Sequence, residues 1–308
     1  MTTLLATIML LATGFIFSAC SSDDPSTSST ASDSEIRLNA DVWRMMEGTR
    51  ATFYDTGTPL TSGSFTCYAF NANSTTAYIN QTTVNYTAGQ WTFEDGKHYW
   101  PAEGNLDFFA YMPAIAPTYI TSGPSYTTAR NPQFTCGSLP MTNAGQDNLQ
   151  EFVYALVTGQ NKTEQGNTGV TLTFQHPFTK IKMQLKEGHP AITINKITFK
   201  SIKNNGSYNH SGGWTPTGDA TNLVLTLDRA FAYNVAAQEI GTYLMIPQAW
   251  AGDIEVEATW DDWGVSLKHT LTTSVPSVTW QPGYWYTYTF TISETDLIVD
   301  TTKFTEQW

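Results

Sequence analysis

Few residues of this 308-residue chain have types and spacings that could support chemistry. The three cysteines and five histidines do not recur at metal-ligand spacing. The acidic pairs Glu94-Asp95 and Asp261-Asp262 lie beside aromatic and turn residues, which favours turn-forming carboxylates over a catalytic acid and base. The sequence also lacks the common nucleophile, phosphate-binding and dinucleotide-binding motifs. It therefore predicts no catalytic residue, no metal site and no cofactor.

Cys67 and Cys136 could form a disulfide if the protein works in an oxidising compartment. Pairing would close a loop of about 70 residues and contribute roughly 4 kcal/mol of stability in the chain-entropy model. Cys67 lies within an aromatic, strand-like segment, however, and this position favours two buried thiols. Both alternatives stay open, and neither cysteine has the surroundings of a catalytic thiol.

The N-terminus has the pattern of an export signal. Leu4 to Phe17 is an apolar run too short to span a bilayer core of about 30 Å as a helix. Ser18 and Ala19 follow, and then Cys20, so that the stretch resembles the lipobox of bacterial lipoproteins. The resemblance implies a signal peptide over residues 1–19, cleavage before Cys20 and acylation of this cysteine. The alternative is an ordinary signal peptide followed by a cysteine without a role.

Residues 20–34 form a Ser/Asp-rich stretch that predicts a flexible tether with a span of roughly 20 Å. Two or more acyl chains on Cys20 would make a stable membrane anchor. The acidic residues Asp23 and Asp24 resemble the surface-export signals of Bacteroidetes-type lipoproteins. We therefore expect the outer membrane or cell surface as the location. A net charge of −12 argues against nucleic acid as a partner.

The remaining chain predicts an all-β protein. Only 14% of its residues are charged, and six segments alternate between apolar and polar residues with period two. These segments are Ser64–Phe70, Gly169–Gln175, Lys180–Leu185, Asn222–Leu227, Asp253–Trp260 and Tyr284–Ile292. The best helix candidate is Gly145–Leu156. A Gly/Asn/Gln-rich stretch near residue 165 predicts two β-domains, over 35–165 and 166–308.

Aromatic residues are the ambiguous group. Ten Trp and fifteen Tyr could provide sugar-stacking platforms at a cell surface. Most of them lie inside or beside the strand patterns, however, where aromatic residues usually pack between sheets. The core is therefore the favoured location, with glycan platforms as the alternative.

Several ordered segments together resemble the fimbrillin-like family, the lipoprotein subunits of surface pili in Bacteroidetes-type bacteria. The segments that carry this resemblance are Thr49–Thr52, Trp91 with Tyr99–Pro101, Leu106–Pro113, Val170–His176, Ile246–Gln248 and Trp280–Tyr284. The resemblance implies two transthyretin-like β-sandwich domains in tandem and a subunit that polymerises. It also implies that an Arg-specific protease removes the first strand, after which a neighbouring subunit donates a strand to the open groove.

This scheme assigns roles to both ends of the chain. Ser34–Met46 would be the removable first strand, with cleavage after Arg50 or, as second choice, Arg44. The segment 295–308 is the candidate donor strand, and its groove-filling side chains would be Leu297, Val299, Phe304 and Trp308. A fixed edge strand is the alternative for this segment.

The predicted function is therefore a non-enzymatic pilus subunit of the shaft, tip or anchor that supports adhesion. Its partners would be other subunits, the lipid membrane through acylated Cys20, and a surface glycan or protein ligand. The alternatives are a monomeric surface lipoprotein that binds glycans through exposed aromatic residues and, as a third, a hydrolase whose site has no recognisable motif.

Overall fold

The computed structural model describes residues 34–41, 44–47, 52–55, 62–72, 74–126, 131–187, 190–232 and 236–303. These residues form twenty-three strands and two short helices, which confirms the predicted all-β fold. Each of the six segments with period-two alternation contains most or all of a strand or lies within one. Within the described residues, no helix has the length and apolar character needed to span a bilayer.

The first part of the chain contributes eleven strands. They are β1 (Leu38–Asp41), β2 (Arg44–Glu47), β3 (Thr52–Asp55), β4 (Ser64–Asn71), β5 (Ala77–Thr87), β6 (Gln90–Phe93), β7 (Leu106–Met112), β8 (Ile120–Ser125), β9 (Gln133–Cys136), β10 (Val153–Gln160) and β11 (Val170–Thr173). The helices are α1 (Asn143–Asp147) and α2 (Lys162–Gln165).

The second part contributes twelve strands. They are β12 (Thr179–Glu187), β13 (Ile192–Ile202), β14 (Asn205–Asn209), β15 (Gly213–Thr217), β16 (Thr221–Phe231), β17 (Gln238–Met245), β18 (Ala249–Trp250), β19 (Asp253–Asp262), β20 (Val265–Ser274), β21 (Val278–Thr279), β22 (Trp285–Ile292) and β23 (Leu297–Lys303).

A seven-stranded sheet in the order β10-β7-β4-β5-β6-β1-β11 forms the first structural unit. Its two outer strands meet just beyond β11, because Tyr154 and Gln175 exchange backbone hydrogen bonds of 3.2 and 2.7 Å. The sheet therefore closes on itself around an interior apolar cluster that includes Phe65, Trp91 and Phe108.

The strand β7 is buried over its whole length, which explains why six of the seven residues in LDFFAYM are apolar. The exception, Asp107, accepts hydrogen bonds from the Gly159 N–H and the Tyr126 hydroxyl. Phe108 and Ala110 face the interior cluster, whereas Phe109 and Tyr111 face a second cluster on the outside of the sheet. The sheet β15-β14-β9-β8 contributes Phe134 to this outer cluster. Strands covered on both faces lose the polar alternation of a half-exposed strand.

The C-terminal unit is a sandwich of two four-stranded sheets, β17-β12-β22-β23 and β16-β13-β19-β20. Its core contains Ile181 and Tyr288 from one sheet and Phe199 and Trp260 from the other. The strand β13 keeps its apolar residues on this core through a register shift between Ile194 and Lys196. Small two-stranded ladders, β18-β21 and β2-β3, complete the described sheets.

The helix predicted over Gly145–Leu156 is wrong from Asn148 onward, because α1 covers only Gly145–Asp147 of that range. Thr142 caps α1 by accepting a hydrogen bond from the backbone N–H of Gly145, and the helix ends at Asp147. The chain from Val153 is instead a strand paired with β7, because Val153 and Tyr154 are buried on opposite faces of the sheet. Burial on alternating faces requires a strand rather than a helix.

The predicted domain boundary at residue 165 stays a prediction. The strand β11 lies on its C-terminal side but pairs with β1 and therefore belongs to the first sheet. Phe174 also packs against Phe65 of the interior cluster, with ring centroids 5.5 Å apart.

Candidate functional site

The strand predicted to be removable lies between β6 and β11. The strand β1 runs parallel to β11 over four residue pairs, and the backbone N–H of Val170 donates to the carbonyl of Arg37 at 2.8 Å. On its other side β1 pairs with β6 through one residue pair in the described register, Leu38 with Trp91. Within Leu38–Asp41 the strand is therefore fully paired on one edge and barely paired on the other. The residues just before it pair with 98–100, because the Ile36 N–H donates to the His98 carbonyl and the Trp100 N–H to the Ser34 carbonyl, each at 2.8 Å.

Side chains of this segment alternate strictly between core and solvent. Ile36, Leu38 and Ala40 are at most 4% exposed and belong to the interior cluster, whereas Arg37 and Asn39 are exposed. Fully burying an Ile or Leu side chain is worth about 1.5–3 kcal/mol, so the first two residues together stabilise the unit by about 3–6 kcal/mol. Removing this segment would leave three adjacent apolar sites empty.

A cleft of about 830 Å³ follows β1 on the side where it is barely paired. Asn39 and Asp41 lie along one wall, and Gln90 and Trp91 of β6 lie along the other. The cleft exists because β1 does not extend its pairing with β6 beyond Leu38. A strand that paired with both neighbours would close the cleft and gain ladder hydrogen bonds that β1 lacks.

The last residue of the loop before β11, Gly169, determines how closely β1 can approach β11. Gly169 has a φ of +81°, and a Cβ built on it would lie 3.1 Å from both the Arg37 carbonyl oxygen and the Asn39 amide nitrogen. The Asn39 side chain also donates a 2.8 Å hydrogen bond to the carbonyl of Thr168. Gly169 therefore provides both the backbone conformation and the space that β1 needs.

We expect Gly169→Ala to destabilise the protein by about 1–3 kcal/mol through backbone strain, and by roughly 1 kcal/mol more through the displaced Arg37 carbonyl. Urea unfolding measures the loss. The matched control is Gly89→Ala, because Gly89 has a φ of +86° but no atom within 4 Å of its added Cβ. Equal losses for the two variants would show that Gly169 does not control the docking of β1.

The two candidate cleavage residues occupy different surroundings. Arg44 lies in β2 and pairs with Asp55 of β3. Arg50 belongs to the connection between these strands and lies outside the described residues, as do Cys20 and the following residues up to 33. A protease needs an extended, unpaired segment, so the ladder position of Arg44 disfavours cleavage there.

The candidate donor segment pairs with its own chain. The strand β23 lies at the edge of the sandwich, where Leu297 pairs with Ile292 and Val299 with Phe290. Leu297 is buried in the sandwich core and Val299 packs against it. Phe304 and Trp308 lie outside the described residues, so their donor role stays a prediction.

The disulfide considered for Cys67 and Cys136 is not formed, because both thiols are free and buried. Cys67 faces the interior cluster and Cys136 faces the outer one, so they belong to different cores. Burial raises the pKa of the Cys136 thiol to about 12 and also raises that of Cys67. Both thiols are therefore inert packing residues, the alternative that the position of Cys67 favoured.

Most aromatic residues pack in the cores, and sequence reasoning missed the main exception. Trp263 is fully exposed in the two-residue loop between β19 and β20, where it and Gly264 both have positive φ.

Among the buried polar groups, His176 Nδ1 lies 2.7 Å from a Glu151 carboxylate oxygen. Within the described residues, no cluster of three or more His, Cys, Asp or Glu is placed to hold a metal.

Comparisons with known proteins give one family. A sequence model described as fimbrillin-like matches residues 49–308. No curated protein is significantly similar to the chain in sequence.

Solved structures of three Bacteroides proteins have a similar fold. A fimbrial protein from Bacteroides vulgatus superimposes with a TM-score of 0.63 at 15% identity, over 89% of this chain and 99% of that one. Candidate cell adhesion proteins from Bacteroides uniformis and Bacteroides ovatus give TM-scores of 0.56 and 0.53, each at 17% identity. These alignments cover 90% and 89% of this chain and 98% and 96% of the other two. At such low identity, the similarity establishes a common fold.

Proposed function

We propose that this chain, which belongs to the fimbrillin-like family, is a structural subunit of a cell-surface pilus that assembles by exchange of a β-strand. The observation that carries the proposal is the placement of β1 between β6 and β11, with its apolar row inside the closed sheet. A sheet that loses such a strand exposes unpaired backbone groups and apolar surface together. Both are satisfied when a neighbouring subunit adds a strand.

Cleavage after Arg50 would release β1 and β2 and leave β3 without its partner. The open groove would then present three apolar sites in a row, previously filled by Ile36, Leu38 and Ala40. Strand donation into this groove uses two different surfaces of each subunit, so the contact propagates as an open filament. The subunit would thereby support adhesion as part of a surface fibre.

The C-terminal strand offers an apolar row that matches this groove. Leu297 and Val299 are apolar and are followed at period two by the smaller Thr301, just as Ile36 and Leu38 are followed by the smaller Ala40. Phe304 and Trp308 have the opposite parity, which they share with the exposed Ile298. We infer that the Leu297 row enters the neighbour's groove, which requires β23 to leave its own sheet.

Export would precede assembly. The lipobox-like stretch ending at Cys20 fits a lipoprotein that reaches the outer membrane through its acyl chains. Cleavage at Arg50 would then free the subunit from its anchor. A subunit that is never cut would instead hold the pilus at the membrane.

We expect mature subunits isolated from the cell surface to begin at Ala51. Mass spectrometry of the N-terminal peptide tests this, with the substitutions Arg50→Gln and Arg44→Gln compared in parallel. The Arg50 variant should retain the acylated Cys20 form and fail to enter pili, whereas the Arg44 variant should be processed like the parent. Surface material with acylated Cys20 as its sole N-terminus would contradict the cleavage step.

A further inference from the structure

A second cleft lies far along the chain from β1, with a volume of about 500 Å³. Trp214 and Pro216 of β15 form one wall, and Pro247 and Pro282 lie in loops that contribute to the other. Trp280 lies beneath these loops and is almost fully buried. The volume falls within the range of small-molecule sites in proteins.

Trp214 provides a rigid aromatic surface at this cleft. Its indole N–H donates to the carbonyl of Pro177, and its ring contacts Phe134, Phe178 and Tyr208 with centroids 5.0–5.6 Å apart. The ring is half-buried, so part of it remains accessible at the cleft. One face of a pyranose ring carries C–H groups with partial positive charge, which pack favourably on the negative face of an aromatic ring.

The charge of the cleft contrasts with that of the whole chain. Lys203 is the one charged residue among those that line it, although the chain has a net charge of −12. The Gln248 side chain fixes the Lys203 backbone by hydrogen bonds of 3.0 Å to its N–H and 2.8 Å to its carbonyl. Among the lysine ion pairs of the described residues none involves Lys203, so its ammonium can bind an anionic ligand.

We propose that this cleft binds a carboxylate-bearing sugar unit of a glycan, such as a uronic or sialic acid residue. The sugar ring would stack on Trp214, and its carboxylate would accept a hydrogen bond from Lys203. The side chains of Thr279 and Gln281 would form hydrogen bonds with its hydroxyl groups. A proline-rich peptide fits less well, because such peptides dock on grooves lined by several aromatic residues and Trp214 is the one accessible aromatic residue here. The inference does not depend on strand exchange, since β1 contributes nothing to this cleft.

The test uses the chain beginning at residue 20, with Cys20→Ser to prevent acylation, and two probes that differ in one group, methyl β-glucuronide and methyl β-glucoside. The methyl glycoside of N-acetylneuraminic acid is a second acidic probe. Saturation-transfer NMR titrations should give an affinity about tenfold higher for at least one acidic probe than for the glucoside. Lys203→Gln should abolish that difference, and Trp214→Leu should weaken binding of every probe by about tenfold or more.

Trp263→Ala is the matched control, because this residue is a fully exposed tryptophan in a different part of the sandwich. It should leave binding unchanged, and thermal unfolding should show that each variant is folded. The Lys203→Gln result decides the question even if Trp214→Leu does not fold, since the Lys203 side chain is not a core residue. The proposal is overturned if no acidic probe binds, if Lys203→Gln leaves the preference intact, if Trp263→Ala removes binding, or if hexaproline binds this cleft while the sugars do not.

Discussion

A protein that begins at Ala51 is expected to polymerise at concentrations where the chain beginning at residue 20 stays monomeric. The shortened protein lacks Ile36, Leu38 and Ala40, and the backbone N–H of Val170 loses its acceptor on Arg37. The missing burial amounts to about 3–6 kcal/mol, a large fraction of the roughly 5–15 kcal/mol that stabilises a typical protein. A donated strand restores this free energy, so association is favoured strongly.

Light scattering after size-exclusion chromatography compares the two forms, each prepared without lipid. A synthetic peptide of Ser34–Asp41 should bind the shortened protein, return it to the monomeric state and raise its resistance to urea. The same peptide with Leu38→Asp is the control, because a carboxylate in the emptied Leu38 site would be buried without a partner. We expect it to bind more than tenfold more weakly. A shortened protein that is monomeric and as stable as the longer chain would refute the role of β1.

Many strands of this fold could be predicted because their apolar and polar residues alternate in step with buried and exposed positions. β22 and β19 alternate as half-buried strands do, and both lie where the sequence pattern places them. The segment after Gly145 misled the prediction because β10 is covered on both faces, so its apolar residues do not alternate. Two-sided burial depends on tertiary contacts that local periodicity does not encode.

The candidate site was predictable in its parts but not in its geometry. The alternation of Ile36, Leu38 and Ala40 marks a half-buried strand, and the family resemblance predicts that this strand is removed. Its parallel pairing with β11, about 130 residues later in the chain, has no local signature. Gly169 stood within a stretch that composition marked as a linker, although it is the residue against which β1 packs. Long-range contacts give such a glycine its role.

The proposed donor strand could insert either of two rows of side chains into a neighbour's groove. If β23 stays in its sheet, residues 304–308 are the part left to reach a neighbour, and Phe304, Glu306 and Trp308 would form one row. This row would place Glu306 in the site that Leu38 fills, where an unpaired carboxylate is costly. If β23 leaves its sheet, the row of Leu297, Val299 and Thr301 enters instead, with the uncharged Thr301, the smallest of the three, where Ala40 lay.

Thr301→Arg is therefore expected to block polymerisation of the protein that begins at Ala51. In the monomer Thr301 and Thr302 are neighbouring, exposed residues of one strand, so an arginine at either position should leave the monomer folded. In a neighbour's groove Thr301 would occupy the small Ala40 site, where an arginine would be buried and unpaired. Thr302 would face solvent in the same groove, so Thr302→Arg should polymerise like the parent protein.

Deleting the whole segment 295–308 would be less informative, because it would also remove Leu297 from the core of its own sandwich. A protein that ends at Lys303 separates the two choices cleanly. It should still polymerise if the Leu297 row is the donor, since that row is intact. Loss of polymerisation on this truncation, together with normal polymerisation of Thr301→Arg, would transfer the donor role to Phe304 and Trp308. Because both arginine variants keep the donor's backbone, the difference between them measures which row of side chains enters the groove.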